Sequence, residues 1–349
     1  MYPKVSVFVV HFNSMNAKDL AKENIKALAQ LDYPDYEVIM VDNGSSDHTF
    51  EFLHENINDP RFKIIRSDTN TFFGGGNNIA FKYASPESKY FFLVNPDALP
   101  YPDSTKKLVE LMESDSKLYA IQGKFRTDKG KIDTGRFIAD DGGVVRLHSA
   151  GIDPNKESLV TYVSGAMMML RAEFPRRRGF IFYDLPFLYF DASALGLELY
   201  HNGYKVKYFP YETGYHKGKA TTKNKDSEYY IHISMFMYML VTNSKFKRFL
   251  DMYFYSNYFK EEIRKNILHN PVASPENYRK AYEIAKKYSK RLNLKFDLYS
   301  IPHAEAPYLR FFFDMVSAGV RRKFMNDNYK VVIPAEDELP QPKLEVKKR

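Results

Sequence analysis

Residues 36–47 read YEVIMVDNGSSD, an apolar strand that stops abruptly in a cluster of turn formers and helix N-caps. Tyr36 to Val41 forms the strand, and Asp42 to Asp47 opens a helix around Thr49 to Asn56. The same alternation extends on both sides. Upstream, residues 4–10, KVSVFVV, are β-branched and apolar in the manner of a buried parallel strand, and Ala17 to Leu31 then shows helical spacing through Leu20, Ile25, Leu28 and Leu31. Downstream, Phe62 to Arg66 is a third strand. The run Phe73-Gly74-Gly75-Gly76-Asn77-Asn78 precedes a helix reaching about Tyr83, and Tyr90 to Val94 is a fourth strand ending at Asn95-Pro96-Asp97. Strands alternating with helices predict an α/β fold, a doubly wound and mostly parallel sheet with helices on both faces.

In such sheets ligands gather beyond the carboxyl ends of the strands. Asn13, Asp42, Asn70 to Asn78 and Asn95 to Asp97 all lie there, so four loops are expected to converge on one crevice. From Tyr119 to about Gly218 the pattern is more mixed, with strands expected at Ala120 to Phe125, Thr161 to Leu170 and Lys205 to Phe209 and a helix near Ala194 to Asn202. Beyond Thr221 the texture changes to helical aromatic periodicity. Helices are predicted near 226–243, 246–268, 276–292 and 305–325, followed by a Pro- and charge-rich tail. The expected organisation is one domain at 1–220 in two halves (1–100 and 101–220), a helical region at 221–330 and a charged tail at 331–349.

Composition narrows the chemistry. The 349-residue chain has 28 Phe and 27 Tyr but no Cys and no Trp, which excludes disulfides, cysteine metal sites and thiol nucleophiles. Any metal is therefore held by oxygen or imidazole. The start, MYPKVSVFVVHFNS, has neither a basic leader nor a small-residue cleavage site, so a cytoplasmic location is expected. No window approaches the roughly 20 apolar residues of a spanning helix. Net charge is +8, and residues 221–349 hold 24 Lys+Arg against 15 Asp+Glu, so the basic excess is entirely C-terminal. Such a basic, aromatic-rich region suits peripheral contact at the cytoplasmic face of a membrane, a polyanion or plain solvent. Nucleic acid ranks last, because only the charge favours it.

Asp42 at a strand end is either a turn former or a carboxylate able to accept hydrogen bonds from a base or ribose. The glycine run fits neither the dinucleotide fingerprint nor the P-loop, which disfavours conventional NAD and ATP sites; it is either a tight turn or an anion cradle. Asp97 follows a hydrophobic strand, with Pro96 restricting the turn, and is well placed for Mg²⁺ or Mn²⁺, which take one or two carboxylates plus diphosphate oxygens. His216, in Gly214-Tyr215-His216-Lys217-Gly218, is either a surface residue or a second ligand.

Together these segments resemble the family 2 glycosyltransferases, particularly the branch containing bacterial rhamnosyltransferases and their archaeal relatives. The resemblance spans roughly residues 4–220 and rests on an ordered series: VSVFVVHFNS, EVIMVDNGSSD, NTFFGGGNNIAFKYA, YFFLVNPDA, VSGAMMMLR, PFLYFDASALGLELYHNGYKV and Tyr215 to Gly218. It implies a GT-A fold and inverting, metal-dependent transfer of a hexosyl or deoxyhexosyl group from a UDP-, GDP- or dTDP-sugar to a hydroxyl of a glycan or lipid-linked acceptor. Asp42 would contact the nucleobase, Asn95-Pro96-Asp97 would stand in for the family's Asp-x-Asp metal motif, and His216 would match its late metal-binding His. The donor-binding set is expected to comprise Asn13, Asp42, Asn43, Gly74, Gly75, Asn77, Asn95 and Asp97.

One departure stands out. Where the family has an acidic pair at the start of a helix, with the second acid as base, this chain reads Asp191-Ala192. A methyl group cannot accept a proton. Either Asp191 serves as base in a shifted geometry, or the chain is weakly active, or position 192 carries a substitution. A nucleotidyltransferase is the main rival, although residues 11–20 lack its Gly-, Arg- and Lys-bearing loop; a non-catalytic nucleotide-sugar-binding module is the other, drawing force from Ala192.

Overall fold

The computed structural model describes residues 2–218, 225–269, 274–316 and 329–341. In chain order the elements are β1 (Val5–His11), α1 (Lys18–Ala29), β2 (Tyr36–Asn43), α2 (Thr49–Asn56), β3 (Phe62–Ser67), α3 (Phe72–Tyr83), β4 (Tyr90–Val94), β5 (Ala98–Pro100) and α4 (Ser104–Ser114). Next come β6 (Leu118–Thr127), β7 (Ile132–Asp133), β8 (Arg136–Ile138), β9 (Val144–Arg146), β10 (Ser158–Leu159), β11 (Met167–Arg171), α5 (Glu173–Arg178), α6 (Asp191–His201) and β12 (Lys205–His216). The last are α7 (Lys225–Val241), α8 (Leu250–Asn266), α9 (Pro275–Leu292), β13 (His303–Glu305), α10 (Tyr308–Val316) and β14 (Lys330–Val332). Residues 2–135, 153–218 and 341 form one compact unit; residues 136–152, 225–269, 274–316 and 329–340 form another.

The first unit is built on a sheet ordered β10-β12-β6-β11-β4-β1-β2-β3, with β5 on β12 and β7 on β6. Strands β3, β2, β1 and β4 run parallel, as the alternating pattern predicts. Antiparallel β11 then joins β4 to β6. Helices cover both faces. Ala21, Ile25 and Leu28 of α1, Phe52 and Leu53 of α2, and Leu108 and Met112 of α4 pack with Val7, Val38, Met40 and Phe92 of the sheet. On the other face Phe81 of α3 meets Phe91 edge-on, and Phe91 stacks on Phe8. Each fully buried aliphatic or Phe side chain contributes about 1.5–3 kcal/mol, and this continuous apolar middle is what fixes the register.

Two local expectations change. The strand expected over Thr161 to Leu170 is confined to β11. Asn95 N still bonds Ala166 O in register with β11, but upstream of that Gln122 Oε1 accepts a hydrogen bond from Ser164 N (2.6 Å), which ties the backbone there to a side chain and not to a neighbouring strand. The glycines are not a loop before a helix but part of the first turns of α3. Their reason is close approach: a Cβ on Gly76 would lie 2.4 Å from Val10 Cγ1, and one on Gly74 would lie 2.5 Å from Asp191 Oδ1.

In the second unit Phe254 stacks on Tyr282 (4.3 Å between centroids) and on Tyr278, with Phe236 edge-on to both tyrosines. The segment 136–152 belongs here through Asp140, whose carboxylate accepts from Ala306 N and Tyr299 Oη and pairs with Lys245. The helix expected at 305–325 begins only at Tyr308, since Glu305 is strand and Pro307 disfavours helical geometry at Ala306. Positions 317–325 of that expectation lie outside the described residues. No helix among the described residues is long and apolar enough to cross a membrane.

Candidate active site

Parallel pairing sets the site. His11 stands opposite Asp42 at the ends of β1 and β2, so the loops that follow leave the sheet side by side. They are then laced together: Asn13, in the left-handed region at φ 49°, receives Ser46 N on its Oδ1 (3.0 Å) and donates its own N–H to Ser45 Oγ (2.9 Å). Ser14 N and Met15 N donate to Thr49 Oγ1 and Asp47 Oδ2. Gly44, at φ 74°, allows the second loop to lie against Thr69, whose carbonyl carbon would be 2.5 Å from a Cβ at that position.

Asp42 is fully buried at this junction. Its Oδ1 accepts from Ser45 N (3.2 Å), while Oδ2 makes no hydrogen bond and lies 3.6 Å from Arg66 Nε. A carboxylate with one unsatisfied oxygen retains capacity for a donor group. Asn43 has none to spare. Its Nδ2 reaches Asn70 Oδ1 and Phe72 O, and its Oδ1 receives Thr71 N and Thr71 Oγ1, so it braces the 70–72 turn. Asn77 is likewise turned inward, donating to Phe73 O. Gly75 has Thr71 where its Cβ would be, at 2.5 Å.

The third loop brings together two residues 119 positions apart. After β4, Ala98 N bonds Asn95 O, and α1 pins the turn through Asn24 Nδ2, which donates to Asn95 O (3.2 Å) and Ala98 O (2.6 Å). Short β5 then pairs antiparallel with the end of β12, placing Ala98 opposite His216. Gly214 makes this possible, since a Cβ there would lie 2.4 Å from Leu99 O. Lys217 N donates to Asp97 O, and His216 Nε2 lies 3.2 Å from Asp97 Oδ1. Both side chains are largely buried.

The donor chemistry fits a hard or borderline divalent cation: a carboxylate oxygen and an imidazole nitrogen close enough to share one ion with bonds of about 2.0–2.2 Å. Among the described residues no group of three or more His, Cys, Asp or Glu side chains is gathered, so the protein offers a pair and not a closed cage. That suits Mg²⁺ or Mn²⁺, which complete their coordination with diphosphate oxygens and water.

The fourth element is the start of α6. Asp191 is buried, its Oδ1 makes no hydrogen bond, and Gly74 of α3 abuts it. Burial pushes its carboxyl up to about 7. Ala192 is only half-buried. Asn78 of α3 holds the 181–182 segment, donating to Phe182 O and accepting from Ile181 N and Phe182 N.

Three positioning residues were not singled out from sequence. Asn24 was signalled by a polar residue on the otherwise apolar face of α1 (Leu20, Ala21, Ile25, Leu28). Asn78 was signalled only as the end of the polar 70–78 stretch, and Arg66 carries no such signal, since it lies in an ordinary polar position of β3.

The family model for glycosyl transferase family 2 matches residues 6–177. Poly-beta-1,6-N-acetyl-D-glucosamine synthase of Staphylococcus epidermidis is 24% identical over 200 residues, 56% of this chain and 46% of the relative. Undecaprenyl-phosphate 4-deoxy-4-formamido-L-arabinose transferase of Yersinia pestis is 27% identical over 126 residues, 36% of this chain and 38% of the relative. The chain thus matches less than half the length of these curated relatives. Among solved structures, Staphylococcus aureus TarS 1-349 in complex with UDP-GlcNAc superposes with a TM-score of 0.53 at 17% identity, covering 80% of this chain and 79% of that one. The mannosyltransferase PcManGT of Pyrobaculum calidifontis, in complex with GDP-Man and Mn²⁺, gives a TM-score of 0.51 at 16% identity, covering 84% and 76%. At such identities the likeness is one of fold, and it agrees with the GT-A expectation. The matched family model makes residues 6–177 of the chain a glycosyl transferase family 2 segment.

Proposed function

We propose that the protein catalyses inverting transfer of a hexosyl or deoxyhexosyl group from a nucleoside-diphosphate sugar to a hydroxyl on a glycan or lipid-linked acceptor, with Mg²⁺ or Mn²⁺. The observation that carries this reading is the pairing of Asp97 with His216 just beyond the carboxyl end of β4, two strands across the sheet from the carboxyl end of β2 that carries Asp42. Asp42 takes the base or ribose through its unsatisfied oxygen; Asn13 and Asn43 hold the loops around it. Asp97 and His216 hold the cation, which supplies charge neutralisation at the diphosphate. The bent turn at Asn95, clamped by Asn24, keeps Asp97 aimed while the donor enters and leaves.

The acceptor hydroxyl attacks the anomeric carbon in line with the departing nucleoside diphosphate, which inverts configuration, and its proton must pass to a base. Position 192 is where that base belongs. Asp191 is buried with its Oδ1 shut off from solvent, whereas residue 192 is the more open of the two. With Ala there, the chain binds donor and transfers slowly. A second reading, donor binding without transfer, is favoured by the same Ala192. A panel of UDP-, GDP- and dTDP-sugars with Mn²⁺, scored by nucleotide release for this chain and for Ala192→Asp, separates the two. Release by either protein supports a transferase; donor binding with no release from both supports the binding module.

A further inference from the structure

Helix α8 carries a second apolar face. Its core side is Leu250 and Phe254, continued by Asn257 and Glu261. On the opposite side Met252, Tyr255, Phe259 and Ile263 recur at spacings of three and four and are 47, 56, 58 and 53% exposed. Ile267 and Leu268 extend the stripe beyond the helix and are more exposed still. The eleven aromatic residues between Tyr229 and Phe259 therefore divide: Phe236, Tyr238, Phe246 and Phe254 are core, whereas Tyr255 and Phe259 face outward. A contiguous exposed stripe of large apolar side chains on one helix marks an interface.

The charge around the stripe says what covers it. Immediately before α8 lies an open surface depression of about 600 Å³ lined by Ser244, Lys245, Lys247, Arg248 and Tyr308, among others. Lys245 is offset by Asp140 (3.0 Å). Lys247 is held by the carbonyls of Leu240 (2.6 Å) and Thr242 (3.3 Å), and Arg248 lies over the ring of Phe249; neither forms an ion pair among the described residues. Cations set beside an outward apolar stripe complement a surface that is apolar within and anionic at its rim. A second copy of the same helix packed parallel to it would bring like charges together at this end.

We propose that α8 docks on an anionic phospholipid surface, with the stripe from Met252 to Ile263 seated at the boundary of headgroups and acyl chains and the Lys247–Arg248 pair meeting headgroup phosphates. This does not depend on the transferase reading, because binding is measured without donor or turnover.

The test is co-sedimentation of the full chain with phosphatidylcholine vesicles and with vesicles that also contain phosphatidylglycerol. The expected result is stronger retention on anionic vesicles, weakened by salt and lowered roughly a hundredfold or more by Phe259→Glu with Ile263→Glu. Both side chains are exposed, so circular dichroism and melting should match the parent. Arg248→Glu should reduce retention on anionic vesicles and leave the weak retention on neutral ones. Equal retention of parent and Phe259→Glu/Ile263→Glu overturns the proposal. So does gel filtration in which the parent is a dimer without lipid and that variant a monomer, for the stripe would then be a self-interface.

Discussion

A methyl group on Gly74 would stand 2.5 Å from Asp191 Oδ1, so the first turn of α3 and the first residue of α6 share one volume although 117 positions separate them. Elsewhere in a helix, Gly→Ala raises stability by up to about 1 kcal/mol. Here the sign should reverse. Gly74→Ala is expected to lower stability by about 1–3 kcal/mol through overpacking, read as a lower denaturation midpoint. A higher midpoint would mean that α3 and α6 are not packed this closely.

The buried carboxyl of Asp191 also gives stability a pH dependence. Its pKa is raised by desolvation to about 7, above the unfolded value, so the folded state holds a proton that the unfolded chain releases. The contribution is fully present at low pH and is lost as pH rises through about 7. Asp191→Asn should therefore match the parent near pH 4 and become progressively more stable than it as pH rises to about 8. Parallel melting curves across that range would show that Asp191 is hydrated or paired.

Asp97 and His216 should behave as one unit toward a cation. Asp97→Ala is expected to abolish the Mn²⁺-dependent part of donor binding, because the carboxylate that would hold a cation for the diphosphate is gone. His216→Ala should weaken the same part, and the double variant should be little worse than Asp97→Ala alone. Calorimetry with and without Mn²⁺ measures this; additive losses, or unchanged metal dependence in Asp97→Ala, would remove the pair from the metal site.

Ala192→Asp should raise the rate of transfer, since a positioned general base is typically worth about 10²- to 10⁴-fold. The helix N-terminus favours an anion there, and donor affinity should scarcely change because a general base acts on the acceptor hydroxyl and not on the donor's diphosphate. If Asp191→Asn instead eliminated substantial parental activity while Ala192→Asp added little, Asp191 would be the base despite its burial.

The sequence alone determined the α/β alternation, the parallel half of the sheet and the carboxyl-end placement of Asp42 and Asp97, because those depend on local periodicity and on turn formers next to strands. Tertiary structure decided the rest. Asp97 meets His216 only because β5 pairs with the far end of β12, a register that neither segment encodes locally. The glycine run reads as a loop in one dimension, yet its residues are inside a helix, since Val10 and Asp191 arrive from elsewhere to fill the space their side chains would need. Asn43 and Asn77 read from position as donor-binding residues, and the structure adds that the Asn43 amide braces the 70–72 turn while Asn77 Nδ2 donates to Phe73 O. On α8, the aromatic content was legible and its division was not: which rings enter the Phe236–Tyr282 stack and which face outward depends on where α7 and α9 pack, and burial is a property of neighbours, not of composition.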